Sequence, residues 1–353
     1  MRAIDHNSKV SIHILASRGV RMQHNWEQCL RLAYNAHAKA CGKRNRSIKL
    51  PSGISFVGEG KDVQLSLSAE GVTANMQDNA AAFEGWCLAL RRWCNVEIVL
   101  QWIPPSPDAT VSQRRHYERF LYRAARFQNL FDWFRIEESL YTIEVGGARA
   151  LEHRPLFLNV GGVRGLEQES ASEGHSESAL EHRLLTSSEF AAHYGLAQGT
   201  RDRQLPVGLF SEKTPSRNSQ IFPGGKGAID LVCLDAQTLW IFELKAGENI
   251  PVGTVTEMFF YTSLIRDALH GGPFTFAEAL ADARIQPEAL SKVTRIEGVM
   301  LGHDLHPLLD SGLISILNEA VKKRWNAEPS RAHVRFRADR ISEGGELKIA
   351  TVD

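Results

Sequence analysis

The sequence predicts an α/β protein of about two domains, and three observations support that prediction. The chain has 353 residues, of which 43% are hydrophobic, so it can bury a sizeable core and its length suggests about two domains. Runs rich in β-branched and aromatic residues alternate with stretches of helical periodicity. No stretch approaches the roughly 20 uninterrupted apolar residues of a membrane helix. Because the N-terminus also lacks an apolar signal segment, we expect a cytoplasmic protein.

The first 165 residues predict an α/β unit. β-branched and aromatic runs mark strand candidates, one of which is closed by Pro104 and Pro105. Apolar positions at intervals of three and four mark helices. The expected strands are 10–15, 54–56, 63–67, 96–103, 141–145 and 156–160, and the expected helices are 24–41, 80–94 and 113–131.

The formal net charge of zero conceals two oppositely charged halves. Residues 1–165 hold 22 Lys and Arg against 15 Asp and Glu, whereas residues 166–353 hold 19 against 26. A basic half that meets phosphates, joined to an acidic half that concentrates metal ligands, would suit a nucleic-acid enzyme. The two charges could equally attract each other across a domain interface.

A domain boundary is predicted at residues 166–177, which lack apolar periodicity and have the composition of a linker. Residues 1–165 would then form a basic N-terminal α/β domain, and residues 178–353 a second α/β domain. The N-terminal half resembles no family. Its role as nucleic-acid-binding or specificity module, oligomerisation platform or regulator is open.

The predicted helix 113–131 carries a stripe of arginines at spacings of three or four residues, namely Arg115, Arg119, Arg123 and Arg126. Tyr117, Phe120, Leu121, Ala124 and Phe127 occupy its other faces, so the helix could pack and still present the arginines to nucleic acid. The alternative is that the stripe is only the solvated side of the helix.

The second half predicts a sheet flanked by helices. Its expected helices are 178–185, 254–269 and 307–325, and its expected strands are 228–234, 239–244, 296–301, 334–336 and 347–351. The segment 201–217 holds basic residues and prolines. We interpret it as a surface connection or a loop over substrate.

Residues 224–245 predict a β-hairpin that collects two carboxylates and a lysine. Apolar runs flank the turn-forming segment 235–238. If the loop has two or four residues, Asp230 lies opposite Glu243, and the period of two places Lys245 on the same face. A three-residue loop would put Asp230 on the other face.

Burying two adjacent carboxylates beside an ammonium is costly, and a bound hard divalent cation would offset that cost. Mg²⁺ takes oxygen ligands, typically one or two carboxylates plus substrate phosphate. We therefore expect Asp230 and Glu243 to hold Mg²⁺ or Mn²⁺. Lys245 would orient the attacking water or stabilise charge on the phosphate.

The pattern of Asp230, twelve intervening residues and then Glu243-Leu244-Lys245 resembles the core of the PD-(D/E)xK nuclease superfamily. The resemblance covers about residues 177–300, and a glycine-rich approach to a hairpin with a helix on each side is the order that this family uses. Ile229 stands where the family often has proline. The resemblance implies a restriction-endonuclease-like mixed sheet flanked by helices, with the Leu244 carbonyl as a further metal ligand.

The family carries a glutamate on the helix before the hairpin, and Glu181 and Glu177 compete for that role. Glu181 shares the inward face of Leu184 and Leu185, which favours it. Ser178 and Glu181 also have the spacing of a capping box, and a cap would be a sufficient structural task for Glu181. Glu177 would precede that cap.

Further candidates lie on either side of the hairpin. Lys226 stands in Gly-Gly-Lys-Gly, where glycines let the backbone approach a phosphate closely. One branch of the family, similar to recombination exonucleases, carries glutamine and, four residues later, tyrosine on the following helix. Glu257 and Tyr261 have that spacing. Because Thr254 and Glu257 also have capping-box spacing, we expect Glu257 to be a cap and Tyr261 a neighbour of the site.

The resemblance implies a metal-dependent phosphodiesterase, in the first place a DNA endonuclease of anti-phage defence, restriction or repair. An RNA nuclease would use the same residues, and a catalytically inactive nucleic-acid or protein-binding module would keep the fold alone. A homodimer, or a partner protein bound through the N-terminal half, is an open expectation, since cutting both strands at once needs two sites. The five cysteines contain no Cys-x-x-Cys pair and predict free thiols.

Overall fold

Helices and strands alternate through the residues that the computed structural model describes, which are 25–40, 42, 47–146, 151–159, 177–196, 199–223, 227–246, 251–279, 283–343 and 347–352. The α-helices are α1 (Trp26–Ala40), α2 (Ala69–Thr73), α3 (Phe83–Cys94), α4 (Val111–Leu130), α5 (Glu138–Leu140), α6 (Glu177–Thr186), α7 (Ser188–Tyr194), α8 (Thr254–Ala268), α9 (Pro287–Leu290) and α10 (Ser311–Arg324). The strands are β1 (Ile54–Val57), β2 (Asp62–Leu67), β3 (Glu97–Trp102), β4 (Phe134–Ile136), β5 (Phe157–Leu158), β6 (Thr200–Pro206), β7 (Leu209–Phe210), β8 (Ala228–Asp235), β9 (Thr238–Lys245), β10 (Thr275–Phe276), β11 (Arg295–Gly302), β12 (His333–Glu343) and β13 (Leu347–Thr351).

The predicted α/β class is confirmed, and its largest unit is a mixed six-stranded sheet in the order β13-β12-β11-β9-β8-β6. Strands β6, β8 and β9 are antiparallel, β11 runs parallel to β9 and β12, and β13 returns antiparallel to β12. Helix α8 makes the crossover from β9 to β11. Helices α6 and α7 cover the opposite face through a second apolar core.

The hairpin of β8 and β9 has the predicted register. Asp235 pairs with Thr238, so Ala236 and Gln237 form a two-residue turn, and the pairs continue to Leu231 opposite Phe242. Ala236 adopts the left-handed region at φ 49°, which costs a non-glycine residue roughly 1 kcal/mol. The next residues along this register are Asp230 and Glu243, which therefore lie opposite each other.

Helix α8 lies within the core, and every one of its 15 residues is buried. Gly298 lets it approach β11, because a Cβ there would lie 2.7 Å from the sulfur of Met258 and 3.0 Å from the hydroxyl of Thr262. The close approach brings polar residues of α8 against the carboxyl-terminal part of the hairpin.

The N-terminal half contributes a four-stranded sheet, β1-β2-β3-β4, in which the first pair is antiparallel and the others are parallel. Its helices pack on α8 and α10 in one continuous core; Phe127 of α4, for example, meets Phe259 of α8 with ring centroids 5.5 Å apart. A small sheet in the order β10-β5-β7 also joins strands from both halves. The predicted boundary 166–177 lies outside the described residues except for Glu177, which begins α6.

The arginine stripe of α4 faces the molecule rather than solvent. The Nε of Arg123 donates to Glu84 Oε1 at 2.7 Å, and Arg126 lies 2.6 Å from Asp267. Arg115 donates to Gln220 at 2.9 Å, and Arg119 is buried. Because the helix packs through this side, Arg119, Arg123 and Arg126 do not form the solvent-facing stripe that the sequence predicted.

Two other expectations also need correction. Residues 141–145 form a π-helical turn that continues α5, with Gly146 donating to the Tyr141 carbonyl at 2.8 Å, and not a strand. Residues 200–206, interpreted as a connection, form the edge strand β6. The strand expected at 10–15 lies outside the described residues.

Two asparagines cover the edge of β12 over the residues to which no described strand pairs on that side. Strand β13 pairs only with residues 339–343. Asn318 accepts from the N–H of Phe336 at 2.8 Å and donates to its carbonyl at 2.9 Å. Asn326 makes the same pair of bonds to Val334, at 2.8 Å and 2.9 Å. Each amide thus replaces a neighbouring strand at one residue.

Within the described part of the chain, no helix combines the length and the apolar character needed to cross a bilayer. The four described cysteines, Cys29, Cys87, Cys94 and Cys233, are free thiols, as predicted. Cys41 lies outside the described residues.

Candidate functional site

The open end of the hairpin, opposite the turn, brings the three predicted residues together. Asp230, Glu243 and Lys245 are only 9%, 2% and 9% exposed. Because side chains alternate along β9, Glu243 and Lys245 point to the same side of the sheet, and Lys245 Nζ lies 2.7 Å from Glu243 Oε1. This is the side that α8 covers. The second oxygen of Glu243 has no hydrogen-bond partner among the described residues.

The orientation of Asp230 is set by the two neighbouring strands. Its Oδ2 accepts the backbone N–H of Leu244 at 2.7 Å, and its Oδ1 lies 3.4 Å from Nε2 of Gln204 on β6. Gln204 adopts φ 52° in the left-handed region, a strained conformation for a non-glycine residue. In this conformation its amide reaches two acids of the site. Sequence reasoning missed Gln204, because the pairing of β6 with β8 that places it beside Asp230 was not expected.

Both candidate glutamates on α6, the helix before the hairpin, reach the site. Glu181 is 3% exposed, accepts from Gln204 Nε2 at 2.6 Å and lies 3.5 Å from Arg203. Glu177 Oε1 lies 3.6 Å from Lys245 Nζ. Helix α6 begins at Glu177, before Ser178, so the predicted capping box does not form. Glu181 is instead held by side chains of β6.

The expectation that Glu257 caps its helix is wrong. Gly253 is the N-cap of α8 and makes no side-chain capping bond. Glu257 is 1% exposed, and its Oε2 lies 3.7 Å from Lys245 Nζ. Its Oε1 accepts from Gln77 of the N-terminal half at 2.6 Å. Glu257 is therefore a fourth buried carboxylate of the site.

Tyr261 follows one turn later on α8 and is fully buried. Its hydroxyl has no hydrogen-bond partner among the residues described. Burial raises its pKa, and so do the carboxylates of Glu257, Glu243 and Asp230, while Arg119 opposes the shift. The hydroxyl thus stays protonated beside the acids, as expected for a neighbour of the site. Lys226 lies outside the described residues, and the chain becomes described again at Gly227.

Burial is the largest influence on the pKa values of the site acids, and the crowding of acids adds to it. Burial raises the pKa of Asp230 to about 7, against the charge of Lys245 and the Leu244 N–H, and Glu181 and Glu257 add to the rise. Burial also raises the pKa of Glu243 well above its usual range, helped by Asp230 and Glu257. Burial alone would lower the pKa of Lys245, but Glu243, Glu257 and Asp230 raise it overall. Lys245 therefore keeps its charge, and the carboxylates compete for it.

The residues present fit a hard divalent cation. Magnesium commonly uses one or two carboxylates and leaves its other positions to water and substrate. Glu243 supplies a buried oxygen without a hydrogen-bond partner in the described part of the chain, and Asp230 lies opposite it in the hairpin register. No group of three or more His, Cys, Asp or Glu side chains within the described ranges stands ready to hold a metal. A site here would therefore depend on two carboxylates and a backbone carbonyl.

The comparisons with known proteins found no match: no family model, curated protein or solved structure matches the chain. The family resemblance rests on the hairpin motif and on the order of elements around it. Function must accordingly be inferred from the site itself.

Proposed function

We propose that the chain is a metal-dependent nuclease that hydrolyses phosphodiester bonds, with DNA as the favoured substrate and endonucleolytic cleavage as the favoured mode. One observation carries the proposal: Asp230, Glu243 and Lys245 meet on one face of a hairpin, buried among further carboxylates. Such an excess of buried acid is unfavourable for a purely structural cluster and suits a cation-binding site.

Asp230, Glu243 and the Leu244 carbonyl would hold Mg²⁺ or Mn²⁺. When bound, the metal would polarise the phosphodiester and lower the pKa of water. The Leu244 N–H holds one oxygen of Asp230 in place, and Lys245 holds one oxygen of Glu243. These contacts would orient the two ligands in advance, which reduces the cost of reorganisation.

Lys245 and Glu181 would serve the substrate. Lys245 remains an ammonium among acids, so it can donate to a phosphate oxygen as negative charge develops there. Glu181 is held beside Asp230 by the shared amide of Gln204 and could accept a hydrogen bond from a water molecule. Their roles follow from position, since both lie at the edge of the predicted metal site.

The order of elements agrees with the proposal. Helix α6 precedes the antiparallel strands β6, β8 and β9, and α8 leads on to the parallel strand β11. A hairpin with a helix on each side is the order expected for PD-(D/E)xK nucleases. A cytoplasmic setting in anti-phage defence, restriction or repair belongs to the same proposal.

The test is a cleavage assay with supercoiled, linear and single-stranded DNA and with RNA, in Mg²⁺ or Mn²⁺. We expect the wild-type protein to cut and Asp230→Ala and Lys245→Ala to be inactive. Asp235→Ala removes an acid at the far end of the same strand and should cut like wild type. Equal cleavage by all four proteins would contradict the proposal, and cleavage of RNA alone would reassign the substrate.

Calorimetry separates an enzyme from a binding module that keeps only the fold. We expect a divalent-ion affinity that disappears in Asp230→Ala and persists in Asp235→Ala. A protein that binds nucleic acid without such an affinity would be the inactive module.

A further inference from the structure

Arg119 differs from the next two arginines of α4, Arg123 and Arg126, in its hydrogen-bond partners. Arg123 and Arg126 each pair with a buried carboxylate, from Glu84 and Asp267 respectively. Arg119 is 3% exposed, and its guanidinium bonds instead to Asn75 Oδ1 at 3.1 Å and His116 Nδ1 at 3.0 Å. None of its hydrogen bonds to described residues goes to a carboxylate.

Both partners of Arg119 are neutral. The Asn75 oxygen is an amide carbonyl. Burial, together with the charge of Arg119, lowers the pKa of His116 to about 4, so its ring accepts at neutral pH without carrying charge. Burial and the nearby Arg123 lower the pKa of Arg119 to about 10, which leaves it protonated. The carboxylates of Glu257 and Glu84 favour the charged form of Arg119, but its hydrogen bonds go to neutral groups. That arrangement is costly for a buried cation unless an anion joins it.

Arg119 lies next to the candidate site. A Cβ at Gly227 would be 3.8 Å from the Nη1 of Arg119, and Gly227 stands three residues before Asp230 on the approach to β8. The guanidinium carbon lies 5.9 Å from the ring centroid of Phe260, between Phe259 and Tyr261 on the helix that carries Glu257. Gln77, two residues after the Asn75 that bonds to Arg119, donates a hydrogen bond to Glu257.

We propose that Arg119 binds a non-bridging oxygen of the scissile phosphodiester, so that both halves of the chain build one active site. This inference rests on the proposed nuclease function. A planar guanidinium matches two phosphate oxygens, and Gly227 itself places no side chain beside the guanidinium. The acids of the site would then face the metal, while Lys245 and Arg119 would face the phosphate.

Two substitutions of Arg119 and one control test the inference. Arg119→Met removes the charge and keeps most of the side-chain volume. Arg119→Lys keeps the charge but loses the planar guanidinium that can donate to two phosphate oxygens. Arg114→Ala removes an exposed arginine from the same helix. The readouts are plasmid cleavage in Mg²⁺, calorimetric binding of the dinucleotide dTpdT in Ca²⁺, divalent-ion affinity and the unfolding midpoint.

We expect Arg119→Met to cut at least about 100-fold more slowly and to bind dTpdT at least about 10-fold more weakly. Arg119→Lys should recover part of both losses, and Arg114→Ala should match wild type. Because Arg119 has no carboxylate partner in the described part of the chain, the midpoint of Arg119→Met should equal or exceed that of wild type. A purely structural arginine would instead lower the midpoint.

The outcomes separate this inference from the proposed function. If wild type cuts and Arg119→Met cuts within about 3-fold of it, Arg119 does not bind the phosphate, although the nuclease assignment stands. If wild type cuts nothing and shows no Asp230-dependent metal affinity, the proposed function fails. Binding of dTpdT then decides: its loss in Arg119→Met supports an anion site, whereas equal binding, or none by wild type, overturns it.

Discussion

Two buried polar clusters of the molecule differ in their balance of charge. The interface cluster joins the halves and consists of Glu84, Arg123, Arg126, Asp267 and Arg331. The site cluster consists of Glu181, Asp230, Glu243, Lys245 and Glu257. In the first cluster every acid has an arginine within an ion pair. In the second, four acids have two bases near them: Lys245 pairs with Glu243 and Glu257, and Arg203 lies 3.5 Å from Glu181.

The two clusters differ in whether protein donors satisfy their acids. Glu84 takes two bonds from Arg123 and one from Thr256, and Asp267 takes bonds from Tyr122 and Arg331. Both acids of this cluster have their oxygens satisfied by protein donors and need no ligand. In the site cluster the pKa values of Asp230, Glu243 and Glu181 are raised, chiefly by burial. These acids therefore hold protons where a divalent cation could bind.

The largest expected contrast is in catalysis. Asp230→Asn removes a proposed metal ligand and should slow the proposed Mg²⁺-dependent cleavage at least about 1000-fold. Glu84→Gln makes the same change of acid to amide in the interface cluster and should leave the rate per folded molecule close to that of wild type. Single-turnover cleavage of plasmid, normalised to folded protein, measures both. A comparable loss in both variants would erase the distinction between the clusters.

Stability should respond in the opposite order. Glu84→Gln leaves the buried Arg123 without a carboxylate, and its free energy of unfolding should fall by about 3 kcal/mol. Asp230→Asn relieves repulsion between acids and, at pH 8 in EDTA, should match or exceed wild type. Urea denaturation followed by tryptophan fluorescence measures the difference. If Asp230→Asn were the more unstable variant, the site cluster would be a structural element.

The pH dependence of the metal-free protein should come from the site cluster. The raised pKa of Asp230, about 7 in the fold against an ordinary 3.8, means that the folded state binds more protons than the unfolded state between these values. That stabilisation is complete below about pH 4 and is lost as the pH rises through 7, by a few kcal/mol.

The measurement is urea denaturation in EDTA at pH 5, 6, 7 and 8. Stability should fall over this range in wild type and fall less in Asp230→Asn, while Mg²⁺ should restore it at pH 8 in wild type only. A flat profile for wild type would show that Asp230 is ionised without metal.

The smallest effect is expected at the contact between the halves within the site. Gln77 is a neutral donor to Glu257, and Gln77→Ala should cost about 1 kcal/mol of stability. A double-mutant cycle with Glu257→Gln isolates this bond. A coupling energy as large as that of Arg123 with Glu84, measured in the same way, would contradict the ranking of charged above neutral partners.

Local patterns predicted much of the fold and most of the site. The hairpin register followed from the turn residues and the period of two, so Asp230, Glu243 and Lys245 could be placed on one face before any tertiary contact was known. The long helices and the central strands carry strong apolar periodicity. Most of them lie close to their expected positions.

Tertiary contacts account for what the sequence did not predict. Strand β6 has one apolar residue inside its ladder, Leu205, so an edge strand looked like a connection. The capping-box spacings of Ser178 and Thr254 exist in the sequence, but both helices begin where these residues cannot act as caps. Burial of the α4 arginines depends on the docking of the two halves, which no local pattern encodes.

The asparagines on β12 limit how copies of this protein can associate. A strand from a second molecule could add to residues 333–338 only by displacing Asn318 and Asn326, which together make four hydrogen bonds to the backbone of that edge. Exposed sheet edges are common starting points for aggregation and for sheets that run across two subunits. Here two asparagine side chains already occupy the edge, so a symmetric pair of the proposed nuclease sites would have to be brought together through another surface.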